Sequence, residues 1–308
     1  MALTILLALL PMLLSAQKLE NNKGLVVQKV STGKLDVYPN FHSNLIRQRD
    51  VAVWMPEGYA KGQPVDVLYM HDGQQIFDSL ATWNHQEWEV DEVMGRLITD
   101  NTIRPTIVVA IANIGEDRLV DYFPQKAWNY LGDSEKAKLD YDKLNADRYL
   151  RFIVEELKPF IDREYQPLTT AEHTFVMGSS MGGLISLYAV CEYPQMFGGA
   201  GCLSTHVPLI LSDELVNNPA AVDRWAAAFR SYVKDKLAMP NTHLIYMDRG
   251  SVGLDGLYKP YQDLMDQQFK AQGWDARHFV TIVFEGHQHM EIYWAQRLEQ
   301  PLKFLLGR

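Results

Sequence analysis

Gly178-x-Ser180-x-Gly182 is the pattern in this chain whose residue types and spacing could do chemistry. A serine between two glycines at that spacing suits a sharp strand-to-helix turn that holds one hydroxyl outward in a strained conformation. The glycines leave room where side chains would clash. The helix that starts there aims its first N–H groups at the reacting centre. Such a serine becomes a nucleophile only when a base takes its proton and a carboxylate orients that base. Downstream of Ser180 lie five histidines: His206, His243, His278, His287 and His289.

The elements that must position these groups follow from the hydrophobic period. Gly24–Val30, Asp50–Trp54, Val65–Met70, Thr106–Ala112, Thr174–Met177, Ala200–Ser204, Leu244–Met247 and Phe279–Phe284 read as strands. Helical spacing covers Trp88–Ile98, Asn145–Tyr165, the stretch from the glycines to about Tyr193, Pro219–Leu237, Leu257–Gln272 and Glu291–Leu306. Strands alternating with helices predict an α/β protein with a mostly parallel central sheet of about eight strands and helices on both faces. No internal repeat or linker interrupts the alternation, so residues 17–308 are expected to form a single catalytic domain.

On that sheet Thr174–Met177 feeds the glycine turn and an apolar helix follows, which is the context the serine motif requires. His243 and His278 fall at strand beginnings and are expected at the sheet edge or in solvent. His287 and His289 follow the last strand, where the loop returns over the edge that carries ligands in open α/β sheets. Asp248 ends one strand and Asp255 lies in the loop after it; Glu285 is too close in sequence to the histidine pair. By position alone the triad is Ser180, either aspartate, and His287 or His289.

Three segments in order, His71-Asp72-Gly73-Gln74-Gln75-Ile76-Phe77-Asp78, Gly178-Ser179-Ser180-Met181-Gly182-Gly183 and His289-Met290-Glu291-x-x-Trp294, resemble the esterase D-like ("Putative esterase") α/β-hydrolases. That family includes feruloyl, acetyl-xylan and enterochelin-type esterases, S-formylglutathione hydrolases and mycolyltransferases. The resemblance spans about Asp50 to Leu306 and implies the α/β-hydrolase fold. It implies His289 as base, with His287 a neighbour, and Asp255 in the Gly250–Asp255 loop as acid, with Asp248 in reserve. It also implies an oxyanion hole from the backbone N–H groups of Gln74 and Met181. The activity implied is ester hydrolysis through an acyl-enzyme, a reaction that needs no cofactor and no metal.

Other residues have plainer readings beside functional ones. His71 and Asp72 are expected to shape the loop that bears Gln74. His85, Glu87 and Asp91 show no metal-ligand spacing and read as a solvated helix start. His206, Tyr122 and Trp128 are candidate substrate-binding residues; Phe123 and Tyr130 share that aromatic stretch, for which packing of a surface loop is the alternative.

The 308 residues are 47% hydrophobic and 22% charged, a balance that excludes a disordered or fibrous chain. With 29 Lys+Arg against 38 Asp+Glu the formal charge is −9, and no basic run exists to bind nucleic acid. The expected partner is a small-molecule or polysaccharide-linked ester. Thr4–Leu14 is almost continuously apolar and Ser15-Ala16 offers a cleavage point, so residues 1–16 read as a signal peptide, although Met1–Thr4 carries no Lys or Arg. The run is too short to span a bilayer, so no stable membrane insertion is expected once it is cleaved. A periplasmic or secreted location follows, a cytoplasmic one being the alternative. Cys191 and Cys202 are too few for a disulfide framework and read as small buried apolar residues. An acyltransferase or a siderophore-ester hydrolase would use the same three residues. A serine peptidase and a non-catalytic binding module are weaker fits, the first for want of an added domain and the second because it has no need of all three.

Overall fold

The computed structural model describes residues 29–210, 217–237 and 239–308. The apolar run at 4–14 and most of the expected strand at 24–30 lie outside the described residues. Eight strands form one sheet in the order β1-β2-β4-β3-β5-β6-β7-β8. They are β1 (Lys34–Phe41), β2 (Arg49–Met55), β3 (Asp66–His71), β4 (Thr106–Ile111), β5 (Thr174–Ser179), β6 (Gly199–Leu203), β7 (Leu244–Gly250) and β8 (Phe279–Phe284). From β4 to β8 every pairing is parallel; β1 and β2 are added antiparallel at one edge.

The central strands are apolar at consecutive positions because both faces are covered. Val67, Tyr69, Ile107, Val109 and Val176 face the helical segments at 146–165, Met181–Glu192, Pro219–Lys236 and Lys259–Ala271. Leu68, Met70, Val108, Ala110, Phe175 and Met177 face the helices Val90–Thr99, Glu291–Arg297 and Glu299–Leu306. Each fully buried side chain of this kind contributes about 1.5–3 kcal/mol. Met181–Glu192 is apolar all round because it is buried along eleven of its positions. Cys191 and Cys202 are free and buried in the same core.

β1 is absent from the sequence expectation. Its charged residues and Pro39 do not read as a strand, yet an edge strand tolerates both, and it bulges between Tyr38 and Phe41. The aromatic stretch that holds Tyr122 and Trp128 contains short helical turns, among them Arg118–Tyr122 and Gln125–Tyr130. Parallel strands bring the loops after β3, β5, β6, β7 and β8 to a single edge, and those loops carry the candidate chemistry.

Candidate active site

β5 turns into the helix Met181–Glu192 through Ser180, whose φ of 57° and ψ of −120° are far from ordinary L-residue geometry. Such conformations cost about 1–3 kcal/mol and persist where the surroundings enforce them. The Ser180 N–H donates to the Leu203 carbonyl at 2.9 Å, and its own carbonyl accepts from Leu184 and His206. A Cβ on Gly178 would lie 2.8–2.9 Å from the backbone of Gly182, so the two glycines of the motif pack against each other.

Asp255 has no exposed surface and its Oδ1 is 2.7 Å from His289 Nδ1. Its Oδ2 accepts from the Gly250 N–H at 2.6 Å and from Ser204 Oγ at 2.7 Å. Burial opposes ionisation of Asp255, but the hydrogen bonds of His289, Ser204 and Gly250 outweigh it and hold the carboxyl below the usual range. The His289 ring stands edge-on between Trp294, at 5.1 Å between centroids, and Tyr258, at 5.6 Å. The Tyr258 hydroxyl in turn neighbours the Ser180 side chain, so one tyrosine touches both.

Asp248 sits elsewhere. Its carboxylate faces Arg297 at 3.0 Å and accepts from Tyr246 and the Ser204 N–H. Burial pushes it up to about 6 in spite of Arg297. His287 contributes backbone: its carbonyl accepts from Ser251 and Val252 and pins the loop that ends at Asp255. His243 and His278 lie at strand starts, bonded to Pro194 O and Asp275 respectively.

The loop after β3 approaches the same point. Asp72 adopts the left-handed conformation at φ 57° and its carboxylate takes a two-pronged contact from Arg118 plus a bond from Asn113. Burial works against its ionisation and Arg118 reverses the balance, leaving it below the usual range. A Cβ on Gly182 would lie 3.2 Å from Asp72 and 3.4 Å from His71, so this loop packs on the start of the helix that follows Ser180. Gln74 lies in the turn Gly73–Gln75, with its side chain fixed by the Asn113 N–H, and Met181 is the first residue of the helix. The first N–H groups of a helix have no partner within it. His71 is buried and bonds Tyr149.

The profile of the family described as "Putative esterase" matches residues 43–305. The chain belongs to that family. It is 25% identical over 267 residues to an endo-1,4-beta-xylanase/feruloyl esterase of Xylanibacter ruminicola, a match covering 82% of this chain and 28% of that protein. It is 25% identical over 165 residues to the ferri-bacillibactin esterase BesA of Bacillus subtilis, covering 51% and 52%. The chain thus spans under a third of the first relative's length and about half of the second's. Among solved structures, a ferulic acid esterase superposes with a TM-score of 0.61 at 19% identity, over 89% of this chain and 98% of that one.

The chain has the α/β-hydrolase fold of these esterases, and its expected residues fall in several places. His206 has its Nδ1 2.7 Å from the Tyr258 hydroxyl and its Nε2 2.6 Å from the Ile210 carbonyl, in the wall beside Ser180. Tyr122 is fully buried, with its hydroxyl accepting from the Asp72 N–H, which leaves it no surface for substrate. Trp128 packs partly buried against the core and the Tyr141 ring. Asp91, expected on a solvated helix start, has no exposure and accepts from the Ser31 and Thr32 N–H groups. A polar cavity of about 780 Å³ lined by Arg49, Asp121, Asn145 and Arg148 shares no residue with the Ser180 region. Sequence reasoning missed Ser204, Arg297 and Tyr258, for which nothing in the local pattern gives a signal. No helix among the described residues is long and apolar enough to cross a membrane.

Proposed function

We propose that this esterase works through an acyl-enzyme on Ser180, with His289 as base and Asp255 as the acid that orients it. The contact between buried Asp255 and His289 Nδ1 carries the reading: it leaves Nε2 free and fixes the tautomer in which Nε2 can accept a proton. Ser180 Oγ attacks the ester carbonyl carbon as its proton passes to His289 Nε2. The tetrahedral oxyanion lies against the N–H groups of Gln74 and Met181, each worth about 3 kcal/mol to the transition state. The C–O bond to the alcohol breaks, and the alcohol leaves with the proton held on His289. Water then loses a proton to His289 and attacks the acyl carbon; the bond from that carbon to Ser180 Oγ breaks, the proton passes from His289 to Oγ, and the acid is released.

The substrate class in this proposal is a carbohydrate-linked ester, feruloyl in preference to acetyl. The xylanase/feruloyl esterase relative supports it. Apolar side chains are also exposed on the segments that follow β3, β7 and β8: Leu80 and Trp83, Val252 and Leu257, and Met290 and Ile292. A siderophore-type ester is the second reading, favoured by the ferri-bacillibactin esterase relative. Export before folding, suggested by the apolar run at 4–14, fits either substrate.

The test is hydrolysis of p-nitrophenyl esters from acetate to octanoate, methyl ferulate, acetylated xylan and a catecholate siderophore lactone by wild type and Ser180→Ala. Turnover of methyl ferulate above the acetyl substrates, lost in Ser180→Ala with an unchanged Tm, is expected. A Ser180→Ala enzyme that keeps its rate overturns the mechanism; a preference for acetylated xylan or the lactone overturns the acyl assignment alone.

A further inference from the structure

Away from Ser180, three carboxylates converge where residues 29–32 cross the start of the helix Val90–Thr99. Glu87, Asp91 and Glu92 each offer an oxygen, and these atoms all lie within 4.8 Å of one another. Asp91 has no exposed surface; its Oδ2 accepts from the Ser31 and Thr32 N–H groups, while its Oδ1 is buried with no donor. Glu92 repeats the arrangement, Oε1 accepting from Ser31 Oγ and Oε2 buried without a partner. Glu87 Oε2 is a third buried oxygen with none. None of the three residues has an ion-pair partner among the described residues.

Buried carboxylate oxygens are expected to find a hydrogen bond, a cation or a metal. Here protein donors occupy the outer oxygens and leave the inner ones facing each other. The partial positive charge at the helix start is too small to offset three clustered carboxylates, of which Asp91 is fully buried. Oxygens that bind one calcium ion sit about 2.4 Å from it, so no two can be more than ~4.8 Å apart, and these three meet that limit.

We propose that Glu87, Asp91 and Glu92 bind one divalent cation of the calcium class, with water completing its shell. Calcium is preferred to magnesium because it accepts irregular shells of six to eight oxygens, whereas magnesium demands a near-ideal octahedron. The ion would fasten residues 29–32 to the loop that follows Gln74, since Glu87 lies in that loop and Asp91 holds Ser31 and Thr32. The sequence conceals the site because positions 87, 91 and 92 match no ligand pattern, and the left-handed Glu89 between them turns the first onto the other two.

The test uses the full chain, freed of metal with EDTA and titrated with Ca²⁺ by calorimetry, alongside thermal unfolding with and without Ca²⁺. Expected are one ion per chain, a Tm higher by about 3–8 °C in millimolar Ca²⁺, and at least a tenfold loss of affinity in both Glu87→Gln and Glu92→Gln. Asp91 is left intact because it anchors backbone. The proposal is overturned if the wild type shows neither binding heat nor a Tm change, or if both variants respond to Ca²⁺ as the wild type does. It is equally overturned if Ca²⁺ has no effect while Glu92→Gln alone raises the Tm, for then a proton shared by Asp91 and Glu92 resolves the cluster.

Discussion

Asp248 and Asp255 both bond Ser204 and both lie near Arg297, at 3.0 and 3.6 Å respectively. Asp255 turns one oxygen to His289 and the other to Ser204 and Gly250, whereas Asp248 turns to Arg297, Tyr246 and the Ser204 N–H. Ser204 Oγ joins the groups by accepting from Trp294 and Arg297 while donating to Asp255. Asp255→Asn is therefore expected to lower kcat/KM by about 10³–10⁴-fold with a modest change in stability. Asp248→Asn should keep most activity but cost about 1–3 kcal/mol, because it removes the nearer of two anions from buried Arg297 and leaves only Asp255, at 3.6 Å. Kinetics and urea unfolding of the two variants check this, and a larger kinetic loss in Asp248→Asn would reassign the acid. Residue spacing leaves both aspartates open, and only the family resemblance favours Asp255. The reason is physical: Ser204 and Arg297 are 93 positions apart and meet only once β6 and the C-terminal helices pack. Tyr122 illustrates the same blindness, since an aromatic in a polar stretch gives no sign of whether it faces solvent or the backbone beneath.

At the scale of elements, the turn through Ser180 is the feature most dependent on sequence. Gly178 has no room for a Cβ because the Gly182 backbone lies 2.8–2.9 Å from where it would stand. The obstacle is main chain, so it cannot swing aside as a flexible side chain would. Gly178→Ala is expected to cost about 1–3 kcal/mol through overpacking. It should also reduce kcat by about 10²-fold, since a displacement near 1 Å at the nucleophile is enough for that. Thermal unfolding and steady-state kinetics measure both, and a variant with wild-type kcat would refute the packing argument. This turn, like the central strands, is legible in sequence because runs buried on both faces and glycine spacing are strong local signals. Weaker ones fail at the margins. The helix expected from Trp88 begins at Val90 because Glu89 is left-handed at φ 54°. β1 escapes notice because half its surface is solvent, and the loop of Asp255 ends in a helical turn, Leu254–Leu257, too short to show a period.

Over the whole molecule, the site edge depends on two imidazoles that burial keeps neutral. His71 is lowered to about 3 chiefly by burial, with the charge of Asp72 only partly opposing it. His206 is lowered to about 4, again by burial first. In the unfolded chain both take a proton near pH 6.5. Between 6.5 and their folded values the unfolded state thus binds more protons, and stability present above pH 6.5 is lost as the pH falls. The slope approaches about 1.4 kcal/mol per pH unit for each histidine, or roughly 2 kcal/mol each between pH 6.5 and pH 5. Against a total of about 5–15 kcal/mol that loss is substantial. In the metal-free protein Asp91 acts in the other direction: raised to about 7, it favours the folded state as the pH falls from there toward its unfolded value near 4. The wild-type curve mixes these effects, so the informative quantity is a difference. His71→Asn removes one titrating ring while leaving an acceptor near the Tyr149 hydroxyl. Its destabilisation relative to wild type should shrink by roughly 2 kcal/mol between pH 6.5 and pH 5, as read from urea unfolding at both. A deficit that stays constant over that range would mean that His71 protonates in the folded protein as readily as in water, and that the floor beneath the Gln74 loop is wetter than its burial implies.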